Sequence, residues 1–158
     1  MLTFSVCRNG DGSKKDTLAN VEANGECVIS IMSEWFVEAA NHTCGKFPPD
    51  VDEMAVSGLT PEKSTVVAPP RVQESAVNME CKVRHTYDIR NHKGDVTATV
   101  VFAEVVMFHV LPHLLNEAGA GEGKPTVNLE GYKPLARLGG NTYAQLGSIF
   151  DLGRPRVN

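Results

Sequence analysis

Five residues of turn chemistry, Asn91-His92-Lys93-Gly94-Asp95, separate two long β-favouring runs, and so short a connection joins strands only as antiparallel neighbours. In the first run Met79, Cys81, Val83, His85, Tyr87 and Ile89 alternate with Glu80, Lys82, Arg84, Thr86 and Asp88, which predicts an amphipathic strand with the first set on one face. Val96 to Val110 returns as a long strand rich in Val, Thr and Phe. No crossover helix separates the two, so an antiparallel meander or barrel follows rather than a parallel sheet.

The chain upstream alternates short elements. Met1 to Cys7 is an apolar strand candidate, Asn9-Gly10-Asp11-Gly12 is a turn, Asp16 is placed to cap a helix opening at Thr17, and Gly25 supplies the stop. Glu26 to Met32 has the composition of a strand, and Ser33 is placed to cap a helix over Glu34 to Asn41. Thr43 to Val77 is irregular and holds Pro48-Pro49, Pro61 and Pro69-Pro70, with one helical turn expected over Val51 to Ser57, closed by Gly58. A stretch of that length outside the regular elements usually covers part of a fold or meets a partner. Residues 1–158 read as one domain, with 43–77 an excursion within it, and the 42% hydrophobic content suffices for a single core.

Charge and cysteine content narrow the function. A formal charge of -4 gives no general attraction to nucleic acid or to an anionic membrane. Cys7, Cys27, Cys44 and Cys81 form no CxxC pair, which argues against a zinc ribbon or a thioredoxin-type motif, and a reducing, cytoplasmic setting is expected. His109 and His113 are four apart, but Pro112 between them breaks the helix that would turn both imidazoles toward a metal, so no metal site is expected. Neither GxSxG nor HExxH occurs. Glu117 to Pro125 is glycine-rich, but Pro125 stands where a phosphate loop needs Ser or Thr, so it reads as a linker. Arg137-Leu138-Gly139-Gly140-Asn141-Thr142-Tyr143 is either a tight turn or a close approach of backbone to ligand.

One local cluster suggests an anion. The start of the first helix carries Lys14, Lys15, Ser13 and Thr17 with Arg8 nearby, a set of cations, hydroxyls and helix-start amides suited to a phosphate. With no side-chain constellation for the reactive step, a bound organic cofactor fits the chain better than self-contained catalysis.

The ordered motifs carry a resemblance. FSVCRNGDGSKKDTLANVEANGECVISI, then Asn41-His42-Thr43, Pro48-Pro49-Asp50-Val51-Asp52-Glu53, Gly58-Leu59-Thr60-Pro61, Pro69-Pro70-Arg71-Val72, Glu74-Ser75, Met79-Glu80-Cys81 and Arg137 to Tyr143 together resemble the flavin reductase-like, FMN-binding split-barrel family. The likeness extends over essentially the whole chain. It implies a mainly β fold with short helices (α+β), an antiparallel Greek-key split β-barrel, a homodimer, and FMN held near the subunit interface. It implies hydride transfer between NAD(P)H and FMN, and a monooxygenase partner such as those served by the reductase components in this family.

Residue by residue, Lys15-Asp16-Thr17 matches the family's KDT motif, so cofactor contact is carried to those three positions and, as a supporting cation, to Arg8. His109 follows Ala103-Glu104-Val105-Val106, which matches the family's GEVV, and is expected near the flavin edge. Arg137 to Tyr143 matches the RLGG-Y motif. Family members usually carry further strands, with ST and N-x-AP-x-S segments, before the strand that here begins at Met1. The chain is therefore expected to be incomplete at its N-terminus, and the alternative reading is a non-catalytic split-barrel remnant or dimerisation module.

Overall fold

The computed structural model describes residues 1–116, 125–150, 152, 153 and 155. Strand β1 (Leu2–Cys7) leads through a turn to helix α1 (Asp16–Asn24) and strand β2 (Glu26–Ser30). A 3-10 turn over Glu34–Phe36 runs into α2 (Val37–His42), and α3 (Glu53–Ser57) precedes the two-residue strands β3 (Pro61–Glu62) and β4 (Arg71–Val72). The long strands β5 (Val77–Arg90) and β6 (Val96–Val110) follow, then β7 (Leu115–Asn116), β8 (Thr126–Val127), α4 (Leu129–Tyr132), β9 (Leu135–Gly139) and β10 (Thr142–Gln145). The expected linker from Glu117 lies outside the described residues as far as position 124.

The fold is mainly β with short helices, as expected. Its principal sheet has the order β1-β6-β5-β2 with every neighbour antiparallel, and among the described residues it is not closed into a barrel. The Asn91–Asp95 turn closes the central hairpin as its sequence requires. The Asn91 amide donates to the Asp95 carbonyl at 2.9 Å, the Asn91 carboxamide oxygen accepts from the Lys93 and Asp95 amides, and Gly94 takes φ 89°.

The predicted single apolar face of β5 does not survive pairing. Cys81 faces Val105 and Val83 faces Ala103, but the register then shifts past Arg84 so that His85 faces Phe102 and Tyr87 faces Val100. One extra residue inverts the alternation of everything beyond it. Val83 therefore packs on the core, whereas Tyr87 and Ile89 are 59% and 41% exposed on the opposite face. The same inversion turns Asp88 toward the α1 side, beside Thr99.

Helix α1 lies over the inner face. Leu18 and Val21, three apart on one helical face, pack with Val6 and Val101, and with the half-buried Phe4, Cys27 and Val83. A second cluster, Ala76, Leu114 and Tyr132, closes the far end of the sheet. Gly25 ends α1 in the left-handed region at φ 67°, and Gly58 ends α3 at φ 74°.

Two capping expectations are corrected. Helix α1 opens at Asp16 with Lys15 in the extended cap position, so Asp16 lies inside the first turn and makes no cap. Ser33 precedes a 3-10 turn without capping it, and its buried hydroxyl has no partner among the described residues. Asp52 does cap α3, accepting from the Met54 and Ala55 amides at 3.0 and 3.2 Å.

Truncating Leu18 to Ala should cost about 2–5 kcal/mol, because the fully buried side chain joins α1 to β1 and β6. Urea unfolding of the variant measures this. Burial pushes the Cys81 thiol up to about 11 and also raises that of Cys27, which faces it across β2 and β5. A maleimide near neutral pH should accordingly label the exposed Cys7 and Cys44 well before Cys27 or Cys81, with mass spectrometry of the digested protein reading the order.

Candidate functional site

Two regions carry polar chemistry, one at each end of β6. The first is the entrance to α1. The Arg8 amide donates to Thr97 O at 2.9 Å, which pins the end of β1 to β6. Its guanidinium pairs with Asp88 at 3.3 Å and donates to Thr99 Oγ1 at 3.1 Å, while its Nε is buried with no partner among the described residues. The Thr99 hydroxyl in turn donates to Asp88, and that bond, with Arg8 next in strength among the favourable charges, holds the carboxyl below its ordinary range. Lys14 is engaged with Glu22. Lys15 alone among the three cations has no ion pair among the described residues, and it stands exposed at the helix start beside Thr17. The Asp16 and Thr17 amides, which no preceding turn can satisfy, likewise have no acceptor there. This end thus offers one available cation, a hydroxyl and two helix-start amides, with Asp16 adding an opposing charge.

The second region is a cleft of about 440 Å³ between the end of β6 and β4, bordered by Arg71, Ser75, Asn78, Phe108, His109 and Leu115. Asn78 is its buried polar floor. Its carboxamide accepts from Ser30 and from the Val72 amide and donates to the Val72 and Ser75 carbonyls, so it is fully used. Arg71 pairs with Glu62 at 3.1 Å and donates to Lys63 O. Beneath His109 lies Glu80, wholly buried on the neighbouring strand, two residues beyond Asn78, the register partner of His109.

Glu80 is held by four partners. Oε1 accepts from the Thr65 amide at 2.7 Å and meets His109 Nε2 at 2.5 Å, while Oε2 accepts from the Val66 and Val67 amides at 2.6 and 3.0 Å. Burial, the largest single influence, pushes its carboxyl up. The Thr65 and Val66 amides, His109 and the Val67 amide together outweigh burial and bring it from the ordinary 4.5 down to about 2. The next amide, that of Ala68, donates to Glu26 at 2.9 Å, so four successive N–H groups of the irregular stretch are tied to carboxylates of the sheet.

The expected site residues therefore fall into two groups. Arg8, Lys15, Asp16 and Thr17 gather around the α1 entrance, and His109 does not join them. Ten residues of β6 separate Thr99, beside Arg8, from His109, roughly 30 Å at the rise of an extended strand. The Arg137 to Tyr143 segment is a hairpin turn, with Gly139 and Gly140 at φ 115° and 54°. Arg137 is used within it, donating to the Gly140 carbonyl at 2.6 Å, and Tyr143 donates to Asn41 at 3.1 Å. His113 sits in a 3-10 turn after Pro112, and among the described residues no cluster of three or more His, Cys, Asp or Glu is placed to hold a metal.

Sequence reading missed Glu80 because alternation assigns it to the polar face. The available signal was the proline-rich stretch preceding β5, which had to cover something. A carboxyl held down by folding contributes stability that is present above its unfolded value and lost as pH falls from about 4.5 toward 2. Urea unfolding followed against pH should show that acid loss in the native protein and a shallower one in Glu80→Gln, which at pH 7 should be less stable by about 1–3 kcal/mol.

The chain resembles proteins of known structure over nearly all of its length. Nitrilotriacetate monooxygenase component B from Bacillus cereus superposes with a TM-score of 0.83 at 35% identity, covering 95% of this chain and 70% of that one. Flavoredoxin of Desulfovibrio vulgaris shares the fold at a TM-score of 0.70 and 22% identity, covering 94% of this chain and 72% of that one. An uncharacterized protein of Halalkalibacterium halodurans is 34% identical over 158 residues, 100% of this chain and 72% of its own length. The uncharacterized protein YwrF of Bacillus subtilis is 36% identical over 155 residues, 98% and 73% respectively. Residues 1–131 match the flavin reductase like domain, and the chain belongs to that family.

Proposed function

We propose that the protein is an FMN-binding flavin reductase-like oxidoreductase, transferring hydride between NAD(P)H and FMN. Family membership supports the class, and the observation that carries the site is the α1 entrance, where an unpaired Lys15 stands with the Thr17 hydroxyl and two unpartnered amides. These residues fit a phosphate. Lys15 supplies the charge, Thr17 and the helix-start amides supply hydrogen bonds, and Arg8 adds positive potential from behind Asp88. Asp16, in the same first turn, is assigned an orienting role beside the phosphate. Bound flavin supplies the hydride-accepting chemistry, and the protein's part is to fix the ring, keep water away and place the nicotinamide.

His109 serves the flavin edge only if a second subunit brings it there, since roughly 30 Å of β6 separates it from Arg8 and Thr99 in its own chain. The homodimer is thus part of the proposal, as is a monooxygenase that consumes the reduced flavin. No helix among the described residues is long and apolar enough to cross a membrane. A cytoplasmic setting fits the four free thiols.

The competing reading, a non-catalytic split-barrel module without flavin, draws on the sheet that is not closed among the described residues. Reconstitution with FMN separates the two. The oxidoreductase takes up FMN, shows the flavin absorption band and consumes NADH or NADPH, whereas a protein that stays colourless is the module. Lys15→Ala should weaken FMN binding by about 1.5–3 kcal/mol, roughly 10- to 100-fold, as measured by fluorescence titration, and unchanged affinity would remove Lys15 from the phosphate site.

A further inference from the structure

We infer that Glu80 is a positioning residue for His109: it fixes the hydrogen of His109 on Nε2 and so makes Nδ1 the nitrogen that meets a heteroaromatic ligand in the neighbouring cleft. The ligand assignment rests on the proposed flavin and nicotinamide chemistry, whereas the geometry of the pair stands without it.

An ionised carboxylate offers about four acceptor positions and no donor. In Glu80 three are taken by the amides of Thr65, Val66 and Val67, and His109 Nε2 occupies the fourth at 2.5 Å. Backbone amides cannot reverse their polarity, so the carboxylate remains an acceptor and Nε2 must carry a hydrogen. A ring with its hydrogen on Nδ1 would set the Nε2 lone pair against a buried negative oxygen. The hydrogen stays on Nε2 in both charge states of the imidazole, and any proton exchanged with a ligand is exchanged at Nδ1.

Nδ1 is free for that role. It has no partner among the described residues and is not among their buried unpartnered atoms, while the side chain is 20% exposed at the border of the cleft. Two of the neighbouring polar groups are already engaged. Asn78 is saturated, and Arg71 is paired with Glu62 and bonded to Lys63 O. Phe108, Leu111, Pro112 and Leu115 add an apolar wall. A cleft of about 440 Å³ with an apolar wall, the directional Nδ1 of His109 and the further polar side chain of Gln73 suits a flat ring whose edge bears N–H and carbonyl groups, the pattern shared by isoalloxazine and nicotinamide.

The test uses the full chain labelled with 15N-histidine, first without flavin. Long-range 1H–15N correlation should place the His109 hydrogen on Nε2, with that proton exchanging slowly because it lies on a buried carboxylate. His109→Gln supplies the assignment. A neutral ring protonated on Nδ1, or an Nε2 proton exchanging as fast as that of a surface histidine such as His92, overturns the inference. In Glu80→Gln the slow exchange should be lost while the far-ultraviolet circular dichroism of the folded chain is kept, and retention of slow exchange also overturns it. FMN, and separately NADH, is then titrated into the native protein. A ligand-dependent shift at Nδ1 larger than that at Nε2 supports the ligand assignment. FMN binding with neither ligand moving Nδ1 defeats that assignment alone, and absence of any FMN binding defeats the functional reading while leaving the flavin-free result to decide the role of Glu80.

Discussion

The long antiparallel pairing of β5 with β6 governs the rest of the molecule, because every other element of the main sheet and both polar regions hang from it. Strand β1 adds to one side of the hairpin and β2 to the other, and α1 covers one face. The ladder is regular enough to hold a core and irregular enough to direct function. The shift past Arg84 turns Asp88 inward to meet Arg8, and the shift between Glu80 and Cys81, where β6 carries the extra Val106, leaves Glu80 opposite Met107, two residues along β6 from His109. Without those bulges the same side chains would lie on other faces.

Burying Glu80 is expensive in principle and tolerable here for a specific reason. An isolated carboxylate in the interior would neutralise or unfold its surroundings. Three amides and an imidazole replace the water it loses, and the same amides belong to the irregular stretch, which gains anchorage beyond the packing of its buried Leu59, Val67 and Ala76. The carboxylate therefore links a segment with little secondary structure to the rigid hairpin. Glu26, holding the Ala68 amide, extends this clasp to the edge strand β2.

What the sequence made legible follows from the range of the interactions involved. The Asn91–Asp95 hairpin, the full length of β6, and the Gly25 and Gly58 stops depend on residues a few positions apart, and each is where the pattern put it. The common face of Met79 through Ile89 failed because a bulge is set by the partner strand, not by the strand itself. Asp16 as a cap failed by a single residue, within the range over which helix ends are decided by the approaching chain. For the site, the α1 cluster was visible as local chemistry, whereas the pairing of His109 with Glu80 joins positions on different strands and could not be read from spacing.

The same hairpin constrains any assembly built from this chain. The proposed phosphate region and the His109 cleft lie toward opposite ends of one strand that is hydrogen-bonded along its length, ten residues apart. An open head-to-tail array would unite them but would leave an unmatched half-site at each end. A two-fold arrangement, in which the strand direction of one subunit opposes that of its partner, unites them twice and leaves none over, because a two-fold contact repeats itself with the roles exchanged. For the proposed homodimer this means two equivalent composite sites, each taking its phosphate cradle from one subunit and its histidine from the other. The Glu80 clasp then has a role beyond the chain that carries it, since it holds the imidazole in place for a ligand anchored mainly by the partner.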